Sequence, residues 1–205
     1  MSPEWLPRRR GGWGVHVRRA CSGAYPLLAR SFRWVTASEV RPASERDAET
    51  MAAIYAAAAR QAWAHIYGEQ NLEALQPPVD RLRAEIACAD PRQHVLVADR
   101  EGRVIAFAVV RPSHDEDADS SRVGELSAFY SDPSVWGQGV GRELMASVTE
   151  TLRQSGFTEA TLWTSVDNHR PRRIYEVAGW TLDGTTRDKP WRGSSFRELR
   201  YRIKL

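Results

Sequence analysis

The sequence predicts an α+β fold, and three observations carry that prediction. Strand-like and helix-like runs do not alternate one for one. A strand is followed by two helices, three strands, then helix, strand, helix and two closing strands, which segregates elements instead of winding them doubly. Residues 94–98 and 104–109 are short apolar runs flanking Arg100-Glu101-Gly102, the pattern of a hairpin. Val140, Leu144, Val148 and Leu152 recur every fourth residue, the spacing of one apolar helix face laid on a sheet.

Each element has its own signal. Val40-Arg41-Pro42 reads as a first strand. Ser44, followed three residues later by Asp47, is a helix-start pair, so Ala48 to Tyr67 is predicted helical, with Met51, Ile54, Tyr55, Ala58, Ala62 and Ile66 on one side. Pro77-Pro78 breaks the chain before a second helix, over 78–87. After the hairpin, residues 122–131 form the next strand and the helix from Val140 follows. Residues 161–164 read as a strand, 172–178 as a short helix, and about 180–186 and 197–204 as the closing strands. The acidic run Asp115-Glu116-Asp117-Ala118-Asp119 reads as a solvated hairpin loop, with attraction of a cationic amine as the alternative.

Length and composition bound the function. At 205 residues, 42% hydrophobic and 27% charged, the chain fits one domain with room for a core. No window approaches 18 uninterrupted apolar residues, so no membrane span is predicted. Cys21 and Cys88 make no metal or redox spacing and read as free thiols in a reducing, cytoplasmic setting, and no His/Cys cluster predicts a metal. The net charge of +3 is unevenly placed: residues 1–38 hold seven Arg and one Glu, leaving 22 basic against 25 acidic residues beyond. That boundary divides a basic extension, 1–38, from a predicted folded domain, 39–205. For the extension three readings compete: an arm for nucleic acid or an anionic membrane, a targeting segment, or a poorly ordered tail. With no apolar stretch after the arginines and no sustained aromatic–basic alternation, the tail is favoured.

The most informative stretch is Trp136-Gly137-Gln138-Gly139-Val140-Gly141-Arg142, between a strand and a helix. Glycines at alternate positions lack the Cβ atoms that keep a phosphate from the backbone. Several N–H groups can then converge on one anion at a helix N-terminus, although a plain turn uses glycines too. The spacing is neither Gly-x-Gly-x-x-Gly, since Leu144 stands where the third glycine belongs, nor a triphosphate loop, since Arg142-Glu143 replaces Lys-Ser/Thr.

The whole run from Glu125 to Arg142 resembles the cofactor-binding motif of the GNAT superfamily, whose members transfer an acyl group from acyl-coenzyme A to an amine. The family pattern is Arg/Gln-x-x-Gly-x-Gly/Ala, and Trp136 departs from its first position. Asn168-His169-Arg170-Pro171-Arg172-Arg173-Ile174-Tyr175-Glu176-Val177-Ala178-Gly179-Trp180 is similar to the second signature, an Asn, a helix bearing Tyr, then Gly-aromatic. The resemblance covers roughly 39–205. It implies a mixed, mostly antiparallel central sheet flanked by helices and splayed where the cofactor enters.

Acyl transfer to an amine sets three tasks: deprotonating an ammonium of pKa about 10, stabilising an oxyanion and protonating a departing thiolate. By position in the second motif, Tyr175 is the expected acid, against the reading of a core aromatic beside Trp180. Glu125 stands where some family members carry a catalytic base; a surface Glu at a strand start is the alternative. The resemblance implies that the strand around Phe129, Tyr130 and Ser131 bulges, offers an oxyanion donor and pairs with the pantetheine arm. Gly137, Gln138, Gly139, Val140, Gly141 and Arg142 would hold the diphosphate, unless Arg142 is simply an exposed first-turn residue. Asn168 is expected to bond the pantetheine, or else to form an Asx turn. Arg60, Trp63, His65, Tyr67 and Trp191 are candidate walls of the acceptor site.

The expectation is thus an N-acetyltransferase acting by direct attack in a ternary complex, with acetyl-CoA as co-substrate and no metal. Its acceptor is an amine of a small molecule or a protein; nucleic acid is not an expected partner, and a homodimer is allowed without being required. The alternative is a non-catalytic acyl-CoA-binding regulatory module.

Overall fold

The computed structural model describes residues 38–73, 75–191 and 194–205. The extension predicted over residues 1–38 lies outside them except for Ser38, as do the side chains of Ile66, Tyr67 and Trp191. The chain runs β1 (Glu39–Pro42), α1 (Ala48–Tyr67), α2 (Glu69–Glu73), α3 (Val79–Ile86), β2 (His94–Arg100), β3 (Arg103–Pro112), β4 (Val123–Ser131), α4 (Val140–Gln154), β5 (Glu159–Ser165), α5 (His169–Val177), β6 (Thr181–Trp191) and β7 (Ser194–Lys204). The seven strands form one sheet in the order β1-β2-β3-β4-β5-β7-β6. Every neighbouring pair is antiparallel except β4 with β5.

Local chemistry accounts for the element boundaries. The Ser44 N–H and Oγ both donate to Asp47 Oδ2, at 2.8 and 2.9 Å, which closes a 3-10 turn at Glu45–Asp47 leading into α1. Glu101 (φ 57°) and Gly102 (φ 80°) supply the two positive φ values that a tight β2–β3 hairpin needs. Helix α2 has no counterpart in the sequence reading: five residues are too short to display a period, and Leu72 alone is buried. The closing hairpin is longer than predicted. Its distal half is built from polar pairs such as Arg187 opposite Glu198 and Asp188 opposite Arg197, which carry no apolar signal.

Strand alternation divides the core into two layers. Val95, Val97, Phe107 and Val109 face α1 and α3 through Ala48, Met51, Ala52, Ile54 and Leu82. Leu96, Ala98, Ala106, Ala108 and Val110 face α4 and α5. The four α4 residues singled out by their spacing, Val140, Leu144, Val148 and Leu152, are each at most 1% exposed. At about 1.5–3 kcal/mol per buried aliphatic side chain, this stripe is what fixes α4 on the sheet. Gly124 lets the helix end approach: a Cβ there would lie 2.6 Å from Leu152 Cδ2 and 2.9 Å from Phe157 Cδ2.

Two irregularities open the sheet at its centre. The β3–β4 register slips between Val109, opposite Ala128, and Val110, opposite Leu126, which leaves Ser127 as an extra residue that bends β4. Strand β4 then pairs with β5 over Val123–Glu125 only, against Glu159–Thr161. Beyond that point the two strands diverge into a cleft, with β4 as its bare edge.

Candidate active site

The bare edge of β4 presents backbone groups to the cleft. The Asp132 N–H bonds the Ile105 carbonyl on β3 at 2.8 Å. By antiparallel alternation the amides of Phe129 and Ser131 therefore turn the opposite way, toward β5. The Ser131 carbonyl points there too, for it accepts the Trp136 indole N–H at 3.1 Å. The bulge itself sits at Ser127, two residues before the segment where the sequence placed it.

Below the cleft, the strand-to-helix junction leaves several backbone amides without an acceptor. Asp132 accepts from the Ser134 N–H, at 2.9 Å, and starts a 3-10 turn over Pro133–Val135. Gly137 (φ 81°) and Gly139 (φ 93°) then reverse the chain into α4. Among the described residues the N–H groups of Gly137, Gly139, Val140 and Gly141 have no hydrogen-bond acceptor, whereas Gln138 N–H bonds Val135 O and Arg142 N–H bonds Gly139 O. Four free amides at a helix N-terminus are a strong anion site.

Gln138 departs from expectation. Its Oε1 accepts from Arg100, at 3.0 Å, and its Nε2 donates to Ser134 O, at 2.9 Å, so the side chain braces the loop from outside. Its backbone and side chain are both engaged within the protein, and the amides on either side of it are the free ones.

A cavity of about 620 Å³ adjoins these amides, lined by Arg142, Arg153, Arg170 and Arg173 and by no carboxylate. Arg142 was expected there; the other three were not. A signal existed: Arg142 and Arg153 are eleven residues apart, three helical turns, and Arg170 and Arg173 are one turn apart on α5. The Arg170 guanidinium lies 4.6 Å from the Trp136 ring centre and close to Gly137. Trp136 thus carries a cation from α5, although it replaces the family's usual Arg or Gln.

Ser131, Trp136, Arg170 and Ile174 also line a second cavity, of about 280 Å³, that follows the cleft between β4 and β5. Phe129, Tyr130, Asn168 and Tyr175 line this one as well. Tyr175 is 6% exposed, edge-on to Phe129 at 6.1 Å and packed beside Tyr201 at 5.9 Å. Among the described residues its hydroxyl has no hydrogen-bond partner, and burial raises its pKa above the ordinary tyrosine value. Asn168 Nδ2 donates to Thr164 Oγ1 at 3.3 Å rather than capping α5. The ring of Tyr130 turns to the other face, against Tyr55 and Trp63 of α1.

The structure does not bring Glu125 beside Tyr175. Its carboxylate accepts from Arg111 Nε at 3.2 Å and lines a polar cavity that also reaches Arg81 of α3. That cavity shares Arg81, Leu126, Ser127, Trp163, Lys189 and Glu198 with the cleft. Glu198, buried on β7 and ion-paired with Arg187 at 2.7 Å, was not singled out from the sequence.

The acidic run is not simply solvated. Asp115 accepts from Trp163 Nε1 (2.7 Å) and Thr161 Oγ1 (2.9 Å), and with Asp117 it grips the buried Arg200. Of the predicted acceptor walls, Trp63 lines the cleft and His65 Nε2 lies 3.4 Å from the Asp167 carbonyl; Arg60 is exposed and lines none of these cavities.

A bent strand with an unpaired edge, free amides at a helix start and a buried tyrosine between them make one continuous cleft. A family model described as "Acetyltransferase (GNAT) family" matches residues 60–180. The chain is 36% identical over 86 residues to a mycothiol acetyltransferase of Sanguibacter keddieii, 42% of this chain and 27% of that protein. It is 30% identical over 105 residues to an aminoglycoside N(6')-acetyltransferase type 1 of Stenotrophomonas maltophilia, 50% of this chain and 68% of that protein. An uncharacterized N-acetyltransferase of Mycobacterium tuberculosis is 31% identical, and the chain spans 58% of its length. Among solved structures, the PaiA N-acetyltransferase of Thermoplasma acidophilum in complex with coenzyme A has the same fold. Its TM-score is 0.66 at 20% identity, covering 82% of this chain and 99% of that one.

Proposed function

This chain belongs to the acetyltransferase (GNAT) family, and from that premise we propose that residues 39–205 transfer an acetyl group from acetyl-CoA to a primary amine by direct attack in a ternary complex. The observation that carries the reading is the continuity of the cleft: Ser131, Trp136, Arg170 and Ile174 border both the arginine-lined cavity and the cavity holding Tyr175. A ligand with a diphosphate at one end and a reactive group at the other fits such a channel. The free amides of Gly137, Gly139, Val140 and Gly141, with four arginines and no carboxylate nearby, suit a diphosphate.

Acetyl-CoA supplies an activated acyl group and a thiolate leaving group. The chain's own residues do the rest. The edge of β4 holds an extended arm through Phe129 and Ser131, as a neighbouring strand would, and the Asn168 amide adds a polar contact from across the cleft. The Phe129 and Ser131 amides are the donors placed for a developing oxyanion. Tyr175 keeps its proton through the neutral range because burial disfavours the phenolate, so it is able to give that proton to the departing sulfur. Glu125 takes the amine's proton by way of water, across the wall of Leu126 and Ser127 that its cavity shares with the cleft. A cytoplasmic setting fits the exposed free thiol of Cys88.

The test is calorimetry of the full chain with acetyl-CoA, followed by thiol release across a panel of amines with product mass measured. Saturable binding and acetylated product support the reading. Absence of association with both acetylated and free CoA overturns it.

A further inference from the structure

The acceptor end of the cleft is electrically lopsided. Every carboxylate that lines it or the adjoining polar cavity is already bound to an arginine: Glu198 to Arg187 at 2.7 Å, Glu125 to Arg111 at 3.2 Å, and Asp115 to Arg200 at 3.3 Å. Glu198 has a second cation, Lys189, at 3.6 Å. Arg81 on α3 differs. It lines both cavities, and among the described residues no carboxylate lies within ion-pair reach of it; its guanidinium sits 5.8 Å from the centre of the Tyr55 ring. Among the side chains that line the two cavities, cations therefore outnumber carboxylates, although Glu85, behind the wall, also meets Arg111 at 3.5 Å. Five aromatic side chains share that wall: Tyr55, Trp63, Tyr130, Trp163 and Phe196.

We propose that the acceptor is an amine bearing its own carboxylate, of the free amino-acid class with an apolar side chain, and that Arg81 with Lys189 binds that carboxylate. The proposal rests on the transferase reading above and narrows it. A polycationic amine needs several unengaged carboxylates to replace its water, and this wall has none to offer. A zwitterion brings no net charge, and its carboxylate matches the planar fork of an arginine. The excess positive charge also disfavours the protonated amine at the point of attack, the form that cannot react. The aromatic wall accommodates an apolar side chain.

The experiment measures kcat/KM for thiol release by the full chain with amino acids, their decarboxylated amines, their amides, amino-terminal peptides and kanamycin. The expected result is a preference of about 10- to 100-fold for the carboxylate-bearing amine over its decarboxylated match, the range for a charge-assisted hydrogen bond. Arg81→Gln and Lys189→Gln should erase most of that preference by raising KM, with acetyl-CoA affinity by calorimetry unchanged. Equal or better turnover of decarboxylated amines, peptides or kanamycin overturns the proposal while leaving the transferase reading intact. So does a preference that survives Arg81→Gln. Loss of both acetyl-CoA binding and thiol release with every amine removes the transferase reading, and this proposal with it.

Discussion

The guanidinium of Arg170 stacks on the indole of Trp136, 4.6 Å from ring centre to Cζ, while that indole donates to the Ser131 carbonyl at 3.1 Å. The stack holds a cation from α5 above the glycine loop, where the residue at 136 itself carries none. Arg170→Ala should weaken acetyl-CoA binding about tenfold, the order of one charge-assisted phosphate contact. Arg170→Lys should recover only part of it, because an ammonium lacks the planar face that stacks. Titration calorimetry at two salt concentrations checks this; an unchanged Kd for Arg170→Ala would remove the residue from the anion site.

Under the proposed reading, Tyr175 acts on chemistry rather than on binding. The residue lines the cleft, its hydroxyl has no hydrogen-bond partner among the described residues, and its ring is held by Phe129 and Tyr201. Tyr175→Phe keeps the ring and should lower kcat by about 100-fold, the lower range for general-acid catalysis, with KM for acetyl-CoA within about twofold. Burial raises the phenol, so its protonated form persists past pH 10. Wild-type kcat should accordingly show no downward alkaline limb from this group between pH 7 and about 10. Steady-state kinetics across that range decide the matter, and equal turnover in the variant rejects the acid role.

Glu125 should matter less. Its carboxylate is shared with Arg111 and opens into the polar cavity rather than facing Tyr175. Glu125→Gln preserves the strand and should reduce kcat/KM by under about tenfold, at the weak end of base catalysis. A loss as deep as that of Tyr175→Phe would mean that the carboxylate reaches the amine directly.

Gly139 carries one of the free amides and precedes another, on Val140, while sitting at φ 93°; a Cβ built there meets nothing within 4 Å. Its requirement is thus one of backbone conformation, not of space. Gly139→Ala should strain the turn by about 1–2 kcal/mol and misalign the flanking N–H groups. Gly139→Asn, which tolerates the left-handed region, should fall between wild type and the alanine variant in acetyl-CoA affinity. Identical affinity in all three would show that the turn does not position the anion donors.

What could be read beforehand, and what could not, follows from the range of each interaction. The α4 stripe, the β2–β3 hairpin and the start of α1 were legible because their causes lie within a few residues: Val140 to Leu152, Glu101-Gly102, Ser44 with Asp47. The run of unpaired amides at the glycines was legible for the same reason. Arg170 and Arg173 were not, because they reach it only once α5 has crossed to the end of α4. Glu198 reads as an ordinary hairpin residue until β7 sets it opposite Ser165 at the mouth of the cleft. Asp115 reads as loop until Arg200, 85 positions later, closes on it. Pairings across the sheet are set by topology, and no local window contains them.

One such pairing should set the acid limit of the fold. Arg41 on β1 binds Asp47, at 2.8 and 3.0 Å, and Asp99 on β2, at 3.0 Å, tying the first strand to the start of α1. The hydrogen bond from Arg41 holds the Asp47 carboxyl well below its usual value, with Ser44 contributing. A group whose folded pKa is depressed stabilises the fold fully above its unfolded pKa, about 3.9, and loses that contribution as pH falls toward the folded value. Asp47→Asn should cost about 1–3 kcal/mol at pH 7, since it leaves a partly buried arginine with Asp99 as its only carboxylate. The difference between wild type and variant should then shrink steadily below pH 4. Urea unfolding of both proteins from pH 7 to pH 2.5 provides the measurement. A constant difference across that range would show that Asp47 titrates alike in the folded and unfolded chains, and that the ion pair does not anchor β1.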